Sequence, residues 1–497
     1  MMSAVNSPRE LAPEVAFGTS GLRASVQALS AEVVQAWTCC FLAYMAACHP
    51  ERQPDRLLIG WDLRPSSPDM VASACVAASL MGVEPVLAGA LPTPALALAC
   101  MQEGMPGLMV TGSHIPFDMN GIKFYTPEGE ISKQDEAAMA AWPLAAAWYA
   151  SQPYADFAGW LAVVQAQSGH ASKALQGYRE RYLGCFSGDA LQGLRVGLYQ
   201  HSSVARDFLA ELLPQLGAEV ILIGRSDQFV PIDTEAVSSD DQRQFADWCR
   251  DYALDALVST DGDADRPLLC DGHGNFIPGD QLGMMTAHYL GIKTAVAPVS
   301  CTSALESSGW FSMVQRTRIG SPFVIAAMQA LSAVEGAVAG FEANGGFLLG
   351  TDIVLGGRIM TALPTRDSLL PILCTLVASR GGEGTLADCV ARLPQRFTRA
   401  DRIRSVPAAV STDLLARCAD EAASMWRDSF MSGIGRVVQV DQTDGVRMTL
   451  EQGGIVHFRA SGNAPELRCY VEAGAVAEAE ALLAVCMERL RAHVAAV

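Results

Sequence analysis

The stretch GLMVTGSHIPFDMNGIKFY, residues 107–125, joins two apolar runs through a short polar loop. The apolar runs predict two buried strands, so Ser113 and His114 lie on a tight loop that is held at both ends. A serine beside a histidine, with Lys123 a few residues further on, suits a hydroxyl that carries a transferable group. A polar turn whose serine only caps the backbone fits the same residues. Residues 111–118 are named the serine loop.

The segment DGDADR, residues 261–266, follows the strand-like run ALVST and places Asp261, Asp263 and Asp265 at alternate positions. Like charges at short range repel one another, so three ionised carboxylates on one loop favour a bound cation. Hard oxygen ligands of this kind select Mg2+ or Ca2+ over zinc. An EF-hand is excluded because its sixth position requires glycine, where this chain has Arg266. This aspartate loop is either a cation site or a solvated acidic turn.

The segment RASGNAPELR, residues 459–468, lies between two strand-like runs and is named the arginine loop. Its small residues let backbone N–H groups converge, while Ser461, Asn463 and the arginines at its two ends add donors. These features predict an anion-binding nest. An ordinary loop with two surface arginines is the alternative.

The segment GFEANGG, residues 340–346, follows another apolar run and is named the glycine-rich loop. Glu342 and Asn344 alternate on one side of it and can bind adjacent hydroxyl groups of a ligand. Taken alone, the glycine-rich loop also fits a plain turn.

The four loops, in this order along the chain, resemble those of the alpha-D-phosphohexomutase family. The resemblance extends to FGTSGLR at 17–23 and IGWDLRPSS at 59–67, and covers about residue 14 to about residue 475. Three loops depart from the usual family sequences: TGSHIP replaces TASHNP, FEANGG replaces GEMSGH or GEESAG, and RASGNAPELR replaces RPSGTEP. The serine, histidine and proline of the serine loop are kept, so we expect its chemistry to survive. The glycine-rich loop lacks the usual histidine or serine, so the resemblance does not by itself establish its sugar contacts.

Strand-like and helical runs alternate along most of the chain, including strands expected at 256–260 and 311–316, which predicts βαβ units and mostly parallel sheets. After residue 394 the pattern becomes mixed strand and helix, ending in an amphipathic helix at 477–494. A chain of 497 residues is too long for one core. The expected fold class is α/β: three similar mixed α/β domains plus a C-terminal α+β domain, arranged, as the resemblance implies, around a central cleft. The predicted domains, each carrying one of the four loops, are residues 1–165, 166–277, 278–394 and 395–497.

The resemblance implies a phosphohexomutase, an intramolecular phosphotransferase that interconverts hexose 6-phosphate and hexose 1-phosphate through a phosphoserine and a bisphosphorylated sugar. By resemblance, Ser113 carries the phosphate beside a Mg2+ ion, and a hexose 1,6-bisphosphate acts as activator. The metal ligands so implied are Ser113, Asp261, Asp263 and Asp265. The residues implied to line the phosphoserine are Arg23, His114, Lys123 and Arg266, with Lys123 as a candidate proton shuttle. The residues implied to bind the sugar and the non-transferred phosphate are Glu342, Asn344, Arg459, Ser461, Gly462, Asn463 and Arg468.

Substrate choice rests on two segments. The glycine-rich loop and RFTRADRI, residues 396–403, look more like phosphomannomutases than like other branches of the family, so mannose phosphate is the expected substrate and glucose phosphate a second one. A phosphoglucomutase or phosphoglucosamine mutase of the same family is the alternative. More remote alternatives are a metal-dependent sugar phosphatase and a non-catalytic sugar-phosphate-binding paralogue. The intermediate must turn over between half-reactions, so we expect the last domain to move about a hinge near residues 394–400.

Composition limits the partners and the compartment. The net charge is −18 and the chain has no basic run, which argues against nucleic acid and anionic membranes and leaves small-molecule sugar phosphates as the expected partners. The 14 cysteines show no paired spacing apart from the adjacent Cys39 and Cys40, and no secretory signal is recognised, which predicts reduced thiols in a cytoplasmic protein. The apolar runs are interrupted by glycine, proline or charge, so no membrane span is expected.

Overall fold

The computed structural model describes residues 7–48, 50, 53–143, 156–167, 173–235, 237–331, 336–381, 384–461 and 466–495. The strands, in chain order, are β1 Ala16–Phe17, β2 Leu22–Ser25, β3 Arg56–Trp61, β4 Glu84–Ala90, β5 Gly107–Val110, β6 Met119–Thr126, β7 Gly129–Glu130, β8 Arg195–His201, β9 Glu219–Arg225, β10 Ala256–Thr260, β11 Pro267–Asp271, β12 Thr294–Pro298, β13 Met313–Thr317, β14 Val338–Phe341, β15 Phe347–Leu349, β16 Ile353–Leu355, β17 Arg358–Met360, β18 Leu363–Asp367, β19 Phe397–Arg404, β20 Val437–Asp441, β21 Val446–Leu450, β22 Ile455–Ala460 and β23 Glu466–Ala473.

Helices separate most of these strands. In chain order they are Pro8–Leu11, Ala31–Cys48, Ser67–Leu80, Thr93–Glu103, Lys133–Ala140, Phe157–Ala166, Lys173–Leu183, Arg206–Gln215, Ser239–Asp251, Gly279–Tyr289, Ala304–Ser307, Ser321–Leu331, Leu369–Arg380, Leu386–Ala391, Ala408–Ala419, Ser424–Phe430 and Val476–Ala495.

The first three large sheets contain the same arrangement of four strands. In the first sheet, β5, β3 and β4 are parallel neighbours and β6 pairs antiparallel with β5. In the second, β10, β8 and β9 are parallel and β11 pairs antiparallel with β10. In the third, β14, β12 and β13 are parallel and β15 pairs antiparallel with β14. The predicted βαβ units are confirmed, and the added antiparallel strands make each sheet mixed.

Three of the four loops take the same place in this repeat. The serine loop joins β5 to β6, the aspartate loop joins β10 to β11, and the glycine-rich loop joins β14 to β15. Each loop leaves the carboxyl end of a parallel strand, the edge at which open α/β sheets bind ligands. Three unrelated sequences therefore occupy one topological position, once in each unit.

The first three units also share a continuous apolar core, which includes Leu96, Tyr178, Leu212, Leu282 and Leu373. Burial of apolar surface stabilises a fold by roughly 25 cal/mol per Å2, so a shared core joins the units into one body. The loops carried by these units are consequently held in fixed positions relative to one another.

The C-terminal unit is built differently. Its sheet has the order β19-β23-β22-β21-β20, with every pair antiparallel, and the helix Val476–Ala495 packs against β19 and β23. Leu414, Phe458, Leu467 and Leu490 belong to a separate core of its own. The arginine loop joins β22 to β23. This arrangement confirms the predicted C-terminal α+β unit.

The helix Ala31–Cys48 departs from what the sequence indicated about membrane spans. By length and composition alone it is long and apolar enough to cross a membrane. However, 61% of its residues are buried inside the protein, and it packs against the helix Ser67–Leu80. Its apolar surface is therefore used in the core of the first unit. Among the described residues, no two cysteines form a disulfide.

Candidate active site

Ser113 joins the serine loop to the aspartate loop. Its hydroxyl donates a hydrogen bond of 2.6 Å to Asp261 Oδ2, and the residue is only 2% exposed. The serine has a left-handed backbone, with φ of 54°, which costs a non-glycine residue on the order of 1 kcal/mol. Its N–H donates to Thr111 Oγ1 at 2.7 Å, one of the contacts that hold this turn.

Arg64 holds the backbone of the serine loop in place. Its guanidinium pairs with Asp62 at 3.2 Å and donates to the backbone carbonyls of Ser113 and three other residues between 115 and 119. Both side chains of the pair are fully buried. The signature IGWDLRPSS therefore supplies a cation that fixes the loop backbone, a role that its sequence alone did not indicate.

The aspartates are held through specific oxygens. Asp261 Oδ1 accepts the N–H groups of Asp265 and Arg266, each at 3.2 Å. Asp263 Oδ2 accepts from Lys123 Nζ and Thr93 Oγ1, both at 2.6 Å. Lys123 also donates to Asp265 Oδ2 at 2.5 Å. One ammonium therefore bridges two of the three carboxylates.

The remaining oxygens suit a metal ion. Asp263 Oδ1 and Asp265 Oδ1 are buried and have no hydrogen-bond partner among the described residues. One oxygen from each of the three aspartates can be chosen so that all three lie within 4.8 Å of one another. Asp265 Oδ1 also lies 3.7 Å from Arg266 Nε, an ion pair too long for a hydrogen bond. Buried carboxylate oxygens without a hydrogen bond are costly, and a hard cation satisfies them. The predicted cluster is therefore formed and can hold a metal ion.

The charges of the aspartates are set by their surroundings. Burial, together with the carboxylates of Asp263 and Asp265, raises the pKa of Asp261 well above its ordinary value. Burial alone would raise the pKa of Asp265 as well, but Arg366 and Lys123 bring it below its ordinary value. The cluster thus combines a carboxylate that resists ionisation with one that is held ionised.

His114 is a neutral hydrogen-bonding group. Arg266 Nη1 lies 2.9 Å from His114 Nδ1, and since a guanidinium only donates, Nδ1 must accept and Nε2 must carry the proton. The positive charge of Arg266 and then burial lower the pKa of His114 to about 2. Ser113 Oγ lies 3.4 Å from the same nitrogen. The ring nitrogen nearest the serine is therefore an acceptor, and the N–H of His114 is on the other ring nitrogen, Nε2.

Arg23 adds a further cation to the site. Its Nη1 donates to the carbonyl of Leu22 at 2.7 Å, and its charge interacts with Asp263 and Asp265. Burial lowers the pKa of Arg23 to about 10, so it stays charged at neutral pH. The structure thus brings all of the residues predicted to line the phosphoserine to one place.

The glycine-rich loop is connected to the three aspartates by Arg366, a residue that was not predicted. Glu342 Oε2 accepts from Arg366 Nη1 at 3.2 Å, and Arg366 Nε donates to Asp265 Oδ2 at 2.9 Å. Asn344 Oδ1 accepts the N–H of Gly346 at 3.0 Å, a bond that does not involve its amide nitrogen. Both predicted residues are buried at the site.

The arginine loop approaches from the C-terminal unit. Arg459 Nε donates to Asp444 Oδ1 at 2.9 Å, and Arg468 pairs with Glu466 at 3.4 Å. The N–H of Ser461 donates to the carbonyl of Glu466 at 2.9 Å. The predicted residues Gly462 and Asn463 lie outside the described residues.

Comparison with known proteins places this site in a family. Sequence models of phosphoglucomutase/phosphomannomutase alpha/beta/alpha domains I and III match residues 14–142 and 278–397. A phosphomannomutase of Salmonella muenchen is 41% identical over 461 residues, 92% of this chain and 91% of that protein. A phosphomannomutase of Sinorhizobium fredii is 43% identical over 471 residues, 94% and 97% of the two chains. The chain belongs to the phosphoglucomutase/phosphomannomutase family.

A solved structure shows the same fold. A phosphoglucomutase/phosphomannomutase family protein from Burkholderia thailandensis superposes with a TM-score of 0.71 at 18% identity, covering 96% of this chain and 97% of that one. The predicted family, fold class and enzyme class, a hexose phosphate mutase, are confirmed.

Beyond the predicted residues, the enzyme places a carboxylate in the cleft between its units. Glu235, on the segment between β9 and the helix Ser239–Asp251, interacts electrostatically with Arg266, Glu342 and Arg468. These three residues belong to the aspartate loop, the glycine-rich loop and the arginine loop, so the carboxylate of Glu235 interacts with the charges of all three. A cavity of about 760 Å3 adjoins Glu235 and is lined by residues of the second, third and last units.

Two site residues could not be identified from motifs. Arg366 follows no glycine-rich or acidic pattern, and its partners Asp265 and Glu342 are 101 and 24 residues away in the chain. Glu235 lies in the segment FVPIDTEAV, which has no regular spacing of chemical groups. The available signal for both was only a charged residue in a proline-containing run, each close to an aspartate, Asp367 and Asp233 respectively.

Proposed function

We propose that the enzyme interconverts hexose 1-phosphate and hexose 6-phosphate through phosphorylated Ser113 and a hexose 1,6-bisphosphate intermediate. The observation that carries this proposal is the 2.6 Å hydrogen bond from Ser113 Oγ to Asp261 inside a cluster of three carboxylates. A hydroxyl placed beside a cation site can carry a phosphoryl group whose charge the cation neutralises.

Each half-reaction is a phosphoryl transfer. The bond between phosphorus and Ser113 Oγ breaks, a bond from phosphorus to the free sugar hydroxyl forms, and the hydroxyl proton leaves to a base. In the second half-reaction the serine oxygen takes the other phosphoryl group of the bisphosphate. Arg23 and Arg266 supply positive charge at the serine, and His114 Nε2–H is available as a donor to a phosphate oxygen.

Asp261, Asp263 and Asp265, together with an oxygen on Ser113, are the residues that would hold Mg2+. When bound, this ion would offset the negative charge of the transferring phosphoryl group. The donor set supports Mg2+ because all of its atoms are hard oxygens.

The remaining loops hold the substrate. Glu342 and Asn344 are placed to bind sugar hydroxyls, and Arg459 and Arg468, with Ser461, Gly462 and Asn463, are proposed to hold the phosphate that is not being transferred. Since the bisphosphate must reverse its orientation, the C-terminal unit is proposed to open about residues 394–400 while the intermediate turns over. Lys123, which bridges Asp263 and Asp265, is the proposed proton shuttle.

Mannose phosphate is the proposed substrate, with glucose phosphate as a second. The phosphomannomutase relatives support this choice because they align with almost the whole chain at more than 40% identity. A phosphoglucosamine mutase activity is the weaker alternative. The division into domains at 1–165, 166–277, 278–394 and 395–497, the cytoplasmic location and the restriction to small sugar phosphates as partners are part of the same proposal.

Phosphorus NMR tests the function directly. The enzyme, Mg2+ and a trace of glucose 1,6-bisphosphate are mixed with mannose 1-phosphate, glucose 1-phosphate or glucosamine 1-phosphate in separate samples. We expect conversion to the 6-phosphate, fastest for mannose, without inorganic phosphate. Ser113→Ala should abolish conversion, whereas Ser379→Ala, which changes a buried serine in the helix Leu369–Arg380, should not. Steady release of inorganic phosphate would instead indicate a hydrolase.

A further inference from the structure

Arg366 is a buried cation shared between two functional loops. It lies in β18 and is 3% exposed. Its Nε and Nη2 lie 2.9 and 2.8 Å from Asp265 Oδ2, and its Nη1 lies 3.2 Å from Glu342 Oε2. One guanidinium therefore binds the aspartate loop on one side and the glycine-rich loop on the other.

The contacts of Asp265 show how this guanidinium orients one of the three aspartates. Arg366 and Lys123 both bind Oδ2 of Asp265, while Oδ1 remains buried without a hydrogen-bond partner among the described residues. A carboxylate with one oxygen fixed by two cations can turn only its other oxygen toward a metal ion. Groups that orient a ligand in this way set metal affinity without touching the metal.

The residues that follow Arg366 strengthen the same attachment. Ser368 Oγ donates to the carbonyl of Ala264, inside the aspartate loop, at 2.6 Å. Asp367 accepts a hydrogen bond of 2.7 Å from Tyr178, and a second from Tyr182. Three consecutive residues thus bind the aspartate loop or anchor the strand that carries them, so Arg366 has a fixed position.

The glycine-rich loop is shaped around the same side chain. A Cβ on Gly346 would lie 2.5 Å from Cδ of Arg366, closer than any ordinary contact, so the arginine stem passes over the glycine. Position 346 is where the usual family sequence GEMSGH has histidine. In this chain the space beside the loop is instead taken by Arg366, which reaches it from another strand.

We propose that Arg366 is a positioning residue that determines both which oxygen of Asp265 faces the metal and how Glu342 is oriented. It thereby fixes the metal site relative to the sugar site. This inference rests on the proposed function, because it assumes that the aspartate loop binds metal and that Glu342 binds sugar. Removal of the guanidinium leaves two buried carboxylates without their shared cation, which disturbs both sites at once.

The first test measures Mg2+ binding by calorimetry to the chelator-treated enzyme without sugar. We expect Arg366→Gln to weaken Mg2+ binding about 10- to 100-fold and Arg366→Lys, which keeps the charge, to weaken it less. Arg316→Gln is the matched control, because it removes another arginine–glutamate pair of the same unit, 2.8 Å long, whose arginine hydrogen-bonds to Glu306 and to the carbonyls of Pro298, Cys301 and Thr302 and not to the aspartate loop. Wild-type Mg2+ affinity in Arg366→Gln overturns the proposal, and Arg366→Lys provides the answer if the glutamine variant does not fold.

The second test measures steady-state kinetics on mannose 1-phosphate. Arg366→Lys should raise KM as well as the Mg2+ concentration needed for half-maximal rate, whereas a purely structural role would lower the amount of active enzyme and leave both unchanged. If the wild-type enzyme proves inactive on every hexose phosphate, the proposed function fails while the Mg2+ result still decides whether Arg366 orients the cluster.

A double-mutant cycle tests the steric part. Gly346→Ala should lower the midpoint of thermal unfolding in the wild-type enzyme and lower it much less in Arg366→Gly, which removes Cδ, Cγ and Cβ, the three atoms that lie 2.5, 2.6 and 2.9 Å from the added Cβ. Equal losses in the two backgrounds would show that Arg366 does not occupy this space.

Discussion

The backbone N–H of Ile319 donates a hydrogen bond of 3.0 Å to Asp444 Oδ2, and this contact joins the third unit of the enzyme to the last. The other carboxylate oxygen of Asp444 accepts from Arg459 of the arginine loop at 2.9 Å. One side chain therefore holds the proposed phosphate-binding arginine and the contact between units. The orientation of Arg459 and the contact between the two units therefore depend on the same carboxylate.

We expect Asp444→Ala to raise KM for hexose phosphate about tenfold with a smaller change in kcat, because hydrogen bonds to charged groups contribute about 1.5–3 kcal/mol. Steady-state kinetics on mannose 1-phosphate measures both constants. Asp441→Ala is the control, since Asp441 accepts the N–H of Thr443 in the same turn but does not contact Arg459. An unchanged KM in Asp444→Ala would show that the carboxylate does not orient the arginine.

The serine loop gives a second prediction, from the space that it leaves for Arg64. A Cβ on Gly112 would lie 2.5 Å from Cζ of Arg64, so the glycine found here in place of the usual alanine makes room for the buried guanidinium. We expect Gly112→Ala to displace Arg64, destabilise the enzyme by about 1–3 kcal/mol and reduce kcat. Thermal unfolding and kinetics check this together.

Gly188→Ala is the matched control for that change, because the nearest atom to a Cβ there is at an ordinary distance of 3.7 Å. Normal unfolding and normal kcat in Gly112→Ala would mean that the guanidinium can move without loss to the loop.

Site residues that lie close together in the chain could be predicted from the sequence. Site residues that the fold brings together from distant positions could not. Ser113 and the three aspartates lie on short loops after apolar strands, so their residue types and spacing were enough to identify the cluster. Arg64 and Arg366 act through partners about 50 and 100 residues away, and no local pattern reports such a pairing.

The first and last residues of the strands show the same difference between what local sequence determines and what pairing across the fold determines. The strand expected at 256–260 is found at Ala256–Thr260 because the apolar run itself ends there. The strand expected at 311–316 is shifted to Met313–Thr317, because its first pair is Thr294 with Met313 on the neighbouring strand. The strand propensity of these residues predicted that β13 exists, and pairing with β12 determined its first residue.

Asp280 predicts a pH dependence of stability. It is buried at the start of the helix Gly279–Tyr289 and accepts the N–H of Thr302 at 2.7 Å, yet burial raises its pKa to about 6 from 3.8. The folded protein therefore binds the proton more tightly than the unfolded chain does. The stability due to protonated Asp280 is present below about pH 4 and is lost as the pH rises through about 6.

A pKa shift of this size corresponds to a change on the order of 3 kcal/mol in the free energy of unfolding. We expect the stability of the wild type relative to Asp280→Asn to fall by this amount between pH 4 and pH 7, as measured by urea unfolding at several pH values. Asp247→Asn, an exposed position, should show no such trend. A constant difference between wild type and Asp280→Asn would mean that Asp280 titrates normally.

Glu472 gives the last prediction, because it connects the proposed hinge to the third unit. Its carboxylate accepts the N–H of Ser303 at 2.9 Å and binds Arg396 Nε at 2.5 Å. Arg396 lies within residues 394–400, and its Nη2 also donates to the carbonyl of Gly453 at 2.6 Å. The hinge segment is thereby tied to a contact that exists only while the last unit stays beside the third.

Removal of this arginine should favour the open arrangement. We expect Arg396→Ala to have a larger radius of gyration than the wild type without ligand, measured by small-angle X-ray scattering, and to contract on addition of mannose 1-phosphate. Its KM should rise because closure must then be driven by substrate binding. Arg399→Ala is the control, since Arg399 pairs with Glu480 inside the last unit at 3.1 Å. Superimposable scattering curves for Arg396→Ala and wild type, with and without ligand, would contradict a hinge at this segment and leave the turnover of the bisphosphate to occur in a closed cleft.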